Sequence, residues 1–376
     1  MSVPDTARAA VVTAYDEPLE LREYPLRAPD RGAVVVSVEC ATICGTDVHA
    51  WEGMFAELFD IELPVILGHE VVGRVEAIGA GAERDSVGTP LKLGDRIVWA
   101  PETCGQCYFC TVEKMPTLCV NRRYGYTINA DVQPHFHGGF AEYTYVQPRS
   151  ARLVVPDDVE SEWAAASSCA LRSVINAWER LGVVDYRHTV VIQGAGPLGL
   201  FATAVARTHN PKLVIVIGAP DARLRVAEAW GADMTISVQE HPDPAERVAL
   251  VRAATEGRGG DVVGEFSGGR TAFTEGIELT AINGRYVVAG TVGGPDQTFP
   301  ASDISNKNLS IYGSRSASID HYYKALTFIR AHRDRFEWDL MLGGRYGLEE
   351  LTLGLERMQQ FTEIKAVVVP GAASRG

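Results

Sequence analysis

The chain has no excess of positive charge and no long apolar run. Against 48 Asp and Glu it carries only 35 Lys and Arg, for a formal net charge of −13. A surface of that sign is repelled by phosphate backbones and anionic headgroups, which argues against nucleic acid or membrane as a general partner and favours solubility. No stretch approaches the roughly 18 to 20 apolar residues that a membrane-spanning helix needs. Residues 1–17 hold no basic cluster followed by an apolar run, so a cytoplasmic location is expected. Cysteine is also scarce, seven in 376 residues, yet Cys104, Cys107, Cys110 and Cys119 fall within sixteen positions. In a reducing compartment such crowding points to metal rather than disulfides. The remaining three are Cys40, Cys44 and Cys169.

The length suffices for two domains, and 46% hydrophobic residues is ordinary for a folded globular chain. The first 150 residues contain short β-type runs at 33–38, 73–77, 95–100 and 141–146, separated by Gly, Pro and Asp, as in a compact β-rich domain. From about Glu160 strands alternate with helices: strands at 189–193, 213–217, 261–265 and 285–289, helices at 198–209 and 223–230. Such alternation builds a parallel sheet covered by helices. After Pro300 a strand at 309–312, helices at 319–332 and 348–360 and a strand at 366–369 could return to the first domain. No repeats or long linkers are present, so two packed domains are expected.

Val190-Val191-Ile192-Gln193 runs into Gly194-Ala195-Gly196-Pro197-Leu198-Gly199 and then an apolar helix. This is a Gly-x-Gly-x-x-Gly turn in its proper strand-turn-helix context. Gly194 permits the turn, Gly196 lets a pyrophosphate approach the backbone, and Gly199 lets helix pack on strand, with the anion at the helix N-terminus. An acid ending the next strand would hold the ribose hydroxyls of NAD, but that strand ends at Gly218. Two readings stay open: Asp221 reaches the ribose, or Arg223 and Arg225 take the extra phosphate of NADP. NAD is the favoured expectation because no basic residue follows the strand directly.

Cys104-x-x-Cys107-x-x-Cys110, followed after eight intervening residues by Cys119, offers four thiolates suited to a closed tetrahedral structural zinc. A dispersed second set joins Cys44, His69, Glu70 and Cys169. Singly each has a bland alternative. Together they form soft and borderline ligands of the kind a catalytic zinc uses, with three protein donors and a fourth position left open.

With these motifs, the chain resembles the medium-chain, zinc-dependent alcohol dehydrogenases, the family that includes sorbitol and threonine dehydrogenases. The likeness runs through Cys44-Gly45-Thr46-Asp47, Gly68-His69-Glu70-Val71-Val72-Gly73, Gly94-Asp95-Arg96-Ile97, the cysteine lobe, Gly138-Gly139-Phe140-Ala141-Glu142-Tyr143 and the glycine turn. It implies an α/β protein: a GroES-like β-barrel catalytic domain (1–158, with 314–376 returning to it) and a Rossmann doubly wound parallel sheet (159–313). It implies two zinc ions per chain. The catalytic ion is held by Cys44, His69 and Cys169, with Glu70 behind it and Asp47 orienting His69. Thr46 and His49 fall where the family keeps a proton relay, and Lys365 where it often has a basic residue for the cofactor pyrophosphate. Two departures are the eight-residue gap before Cys119, one more than usual, and Gly218.

The resemblance further implies hydride transfer between an alcohol and NAD, giving the ketone or aldehyde, with substrate entering an interdomain cleft. A secondary or cyclic alcohol is favoured by the apolar candidates for the pocket wall, Trp51, Phe55, Leu58 and Trp99, although His135 and His137 could add polar contacts. The alternatives are an NADP-dependent polyol dehydrogenase and a non-catalytic dinucleotide-binding protein on the same fold. Relatives in the family are commonly dimers or tetramers, so a homo-oligomer is expected.

Overall fold

The computed structural model describes residues 3–290 and 297–371. It divides into two compact units. One comprises Met1–Cys169, Ala317–Ala331 and Leu342–Gly376, and the other Ala170–Ser316 and His332–Met341. The first division falls after Cys169, and 332–341 joins the second unit.

In chain order the first unit contributes β1 (Thr6–Val11), β2 (Glu20–Pro25), β3 (Val34–Thr42), β4 (Glu70–Ile78), β5 (Arg96–Trp99), β6 (Tyr143–Val146) and β7 (Arg152–Val154). The second contributes β8 (Thr189–Gln193), β9 (Leu213–Gly218), β10 (Met234–Ser237), β11 (Gly260–Glu265), β12 (Thr280–Val288) and β13 (Ser310–Gly313). Strands β14 (Leu342–Tyr346) and β15 (Lys365–Val368) complete the first.

The first unit is built on a mixed seven-stranded sheet, β14-β15-β3-β4-β5-β7, with β6 also on β3, and an antiparallel β1-β2 pair. Strand β3 is central because Val34, Val35, Val36 and Val38 supply branched side chains that pack well on a pleated surface, and all four are buried. Its far end pairs with the first residues of β4, Thr42 against Glu70. That register brings the Cys44 loop beside the His69 loop.

The second unit is a six-stranded parallel sheet in the order β10-β9-β8-β11-β12-β13. Strand β8 is buried throughout and β9 nearly so, which is why both read as unbroken apolar runs: helices cover both faces. The order reverses between β8 and β11, and the crevice beyond the strand ends at such a reversal is where α/β sheets bind ligands. Strand β12 starts at Thr280, ahead of the expected Arg285. It is interrupted where Asn283, with φ +62°, donates to the Lys307 carbonyl at 2.7 Å. The Asn-Gly pair reads as a turn in sequence, whereas here it is an irregularity in a longer strand.

Candidate functional site: two donor clusters and a glycine turn

Cys44 precedes the short helix Gly45–Trp51, and Asp47 in its first turn is completely buried. The Asp47 carboxylate accepts from the Cys44 N–H (2.9 Å) and the Gly68 N–H (3.1 Å), and its Oδ1 lies 3.1 Å from His69 Nδ1. It thereby joins the two loops that carry Cys44 and His69. A carboxylate only accepts, so it fixes the proton of His69 on Nδ1 and leaves Nε2 free to ligate a metal. The Tyr126 ring lies 4.8 Å from the imidazole on another side.

Cys169 sits in a π-helical turn, Ser167–Leu171, between the helices Ser161–Ala166 and Arg172–Leu181. Widened turns of this kind free backbone carbonyls. The Ser167 and Ser168 hydroxyls donate to the Ala164 and Ala165 carbonyls at 2.9 and 2.7 Å.

The donor atoms of Cys44, His69, Glu70 and Cys169 all lie within 4.8 Å of one another. The chemistry of this set fits zinc: soft thiolates and an imidazole, crowded and dry. Hydrogen bonding with Cys169, then burial, pushes the Cys44 thiol up to about 11. Burial opposes a charged His69, but the Asp47 charge outweighs it and holds the imidazole well above its ordinary value. Glu70 is raised to about 7 by burial, against the pull of Lys365. Donors that crowd their own protons in this way are relieved by a divalent cation.

Lys365 departs from expectation. It is 1% exposed, and its Nζ contacts both Glu70 oxygens as well as the Ile43 carbonyl at 3.5 Å. Thr42 donates to the same carboxylate. Lys365 is thus the counter-ion of Glu70 in the first unit rather than a cation held out for a pyrophosphate.

The Sγ atoms of Cys104, Cys107, Cys110 and Cys119 converge within 4.8 Å, a closed all-thiol set suited to structural zinc. A 3-10 turn, Pro116–Leu118, precedes Cys119, which caps its end. Cys119 Sγ accepts from the Cys104 N–H at 3.3 Å. The Gln106 N–H and Asn121 draw the Cys104 thiol down to about 6.

Thr46 is half-buried, with its hydroxyl 3.7 Å from Cys44 Sγ. His49, one turn along the same helix, is 45% exposed, and its Nδ1 lies 3.1 Å from Glu52 Oε2. Of the expected pocket wall, Trp51 and Phe55 are core residues, the Trp51 indole donating to the Glu17 carbonyl at 2.7 Å, and Leu58 is exposed. Trp99 does line an open groove in the first unit, with Gly68, His69, Tyr126 and His137. His135 is instead stacked on Tyr24. Tyr126 was not singled out from sequence; its only signal is the aromatic repeat Tyr124-Gly125-Tyr126.

In the second unit Gly194 has φ +116°, and a Cβ there would meet Ser267 N at 3.0 Å. At Gly199 it would strike the Gly194 carbonyl at 1.8 Å, whereas at Gly196 it would meet nothing within 4 Å. The middle glycine thus leaves its backbone open, beside half-buried Pro197 and Leu198 at the start of the helix Pro197–Thr208. That helix has no acid in its first turn, as an anion site requires. These features fit a dinucleotide. Gly218 packs so close to the turn that a Cβ would lie 2.7 Å from Ala195 N. Asp221 accepts from the Ser237 hydroxyl at 2.9 Å. Arg223, expected near the ribose, is buried, while Arg225 is exposed.

Residues 30–157 match the family model of the alcohol dehydrogenase GroES-like domain, and residues 197–331 that of the zinc-binding dehydrogenases. The chain is 35% identical over 364 residues to 5-exo-hydroxycamphor dehydrogenase of Pseudomonas putida, covering 96% of this chain and 98% of that protein. It is 28% identical over 358 residues to a sorbitol dehydrogenase of Halalkalibacterium halodurans, covering 93% and 95%. The crystal structure of an alcohol dehydrogenase from Thermotoga maritima superposes with a TM-score of 0.90 at 33% identity, covering 97% of this chain and 99% of that one. With donor clusters, glycine turn and both family domains in one chain, the protein belongs to the zinc-dependent, medium-chain alcohol dehydrogenases, oxidoreductases that use a nicotinamide dinucleotide.

Proposed function

We propose that the chain oxidises a secondary or cyclic alcohol to its ketone, passing hydride to NAD, with one catalytic and one structural zinc per chain. The observation that carries this reading is the convergence of Cys44, His69 and Cys169, with Glu70, beside the Thr46 hydroxyl. Similarity to a dehydrogenase of a bicyclic secondary alcohol favours that substrate class over a polyol. Zinc held by Cys44, His69 and Cys169 supplies Lewis-acid polarisation of the substrate oxygen. The chain's own residues do the rest. Asp47 orients His69, Lys365 neutralises Glu70, Thr46 accepts the hydroxyl proton and His49 carries it toward solvent.

For the cofactor, the open backbone at Gly196 would take the pyrophosphate and Asp221 is the carboxylate that would reach the ribose hydroxyls. NADP remains the second reading, because exposed Arg225 follows on the same helix. The protein acts in the cytoplasm as a homo-oligomer, for which β13, last in the order of the parallel sheet, offers an edge.

The test is nicotinamide reduction followed at 340 nm, with NAD and NADP in parallel, over primary, secondary, cyclic and polyol substrates, before and after a zinc chelator. Chelator-sensitive turnover of cyclic secondary alcohols is the expected result. Preference for a polyol would overturn the substrate class, and turnover indifferent to zinc loss would overturn the metal mechanism.

A further inference from the structure

The helix that carries Thr46 and His49 ends at Glu52, one turn beyond the histidine. Glu52 Oε2 lies 3.1 Å from His49 Nδ1. The other oxygen, Oε1, accepts from the Gln359 side-chain amide at 2.7 Å. Gln359 lies 307 positions away, at the end of the helix Leu351–Gln359, which packs on Gly45–Trp51. An isolated i,i+3 pair on a helix surface is worth little. This pair is not isolated, because the carboxylate is held from a second helix and is only 21% exposed. On its other side the imidazole meets the edge of Phe55, with ring centroids 5.3 Å apart.

We propose that Glu52 is a positioning residue for proton release, fixing the tautomer and angle of His49; the inference rests on the reading of His49 as the proton carrier. A carboxylate can only accept, so the Nδ1 facing it keeps its proton and the Nε2 lone pair is left to receive one. The step balances simply. The alcohol O–H bond breaks as its proton passes to the Thr46 hydroxyl, whose own proton moves on to form the N–H bond at His49 Nε2, while the carbon gives its hydride to the nicotinamide. The resulting imidazolium is stabilised by Glu52, and because His49 is 45% exposed it returns the proton to water. Gln359 holds Glu52 so that the carboxylate does not swing into solvent between turnovers. Among the described contacts, the charged group facing the imidazole is Glu52. The packed helix offers uncharged Gln359, and the segment after Trp51 offers Phe55.

The test uses the full-length zinc-loaded enzyme labelled with ¹⁵N at its nine histidines, with His49 assigned by its loss in H49Q. Long-range ¹H–¹⁵N correlations report the tautomer without any substrate. Wild type is expected to show the proton on Nδ1. In E52Q that preference is lost. Q359A weakens it in the same direction but less. With the best alcohol found in the substrate panel, E52Q is expected to lower kcat/KM about fivefold near neutral pH and shift its acid limb to lower pH. H49Q/E52Q should be no slower than H49Q. An unchanged His49 tautomer in E52Q overturns the proposal. So does a wild-type pH profile in E52Q where H49Q is altered, or additive losses in the double variant. If H49Q itself keeps the wild-type profile, the proton-carrier reading fails, a result distinct from the others.

Discussion

Replacing Arg247 by Met tests how the parallel-sheet unit is held together behind its glycine turn. Arg247 and Glu275 are 6% and 5% exposed in their side chains and form a bidentate pair, Nε to Oε1 at 2.7 Å and Nη2 to Oε2 at 3.0 Å. The same guanidinium donates to the His241 and Pro242 carbonyls at 2.7 and 2.9 Å. Gln193, the residue before Gly194, donates its amide to Glu275 at 3.3 Å and to the Ala272 carbonyl at 2.9 Å. R247M therefore leaves a buried carboxylate with one neutral donor, and removing one partner of such a pair costs about 3 to 5 kcal/mol. With a urea dependence of about 2 kcal/mol/M, the midpoint falls by about 1.5 to 2.5 M. A urea titration followed by tryptophan fluorescence and far-ultraviolet circular dichroism measures it. R247M/E275L, which removes the stranded charge as well, should recover most of the loss. A shift below about 0.3 M in R247M, or a double variant as unstable as the single one, would refute the reasoning.

Three further outcomes are expected. C169A should abolish turnover and lower the zinc content by one ion per chain in elemental analysis; undiminished zinc or activity would remove Cys169 from the ligand set. G218D should not simply strengthen NAD binding: a Cβ there meets Ala195 backbone at 2.7 Å, so a stability loss of about 1 to 3 kcal/mol should accompany weaker dinucleotide binding by fluorescence titration. Tight NAD binding by a fully stable G218D would contradict this. K365M strands Glu70, which is 0% exposed, and should cost about 3 to 5 kcal/mol in chemical denaturation. K365M/E70Q should regain much of it, and a cost below about 1 kcal/mol would show that the pair is not a structural counter-charge.

Cysteine and glycine spacing made both donor clusters and the dinucleotide turn legible, because ligands three residues apart or a strand running into Gly-x-Gly-x-x-Gly are local patterns. What escaped was non-local. Lys365 reads as a cation for the cofactor pyrophosphate until β15 is seen to bring it to Glu70, 295 positions away. Gln359 gives no sign of holding Glu52, and Trp51 and Phe55 look like pocket wall only because they follow a metal motif. Gly218 reads as a missing acid, whereas the fold gives a steric reason for it in Ala195.

The π-helical turn at Ser167–Leu171 implies that the thiol of Cys169 is aimed by counting. An α-helix advances each residue by about 100° around its axis, so the extra residue in a widened turn resets the phase of everything beyond it. Deleting Ser167 or Ser168, with every donor retained, would restore α-helical phase ahead of Cys169. Cys169 would then be carried about a quarter-turn around the axis, away from Cys44 and His69. At this point in the chain, length is as much a determinant of the metal site as chemistry, and a one-residue deletion would act as a ligand knockout without removing a ligand.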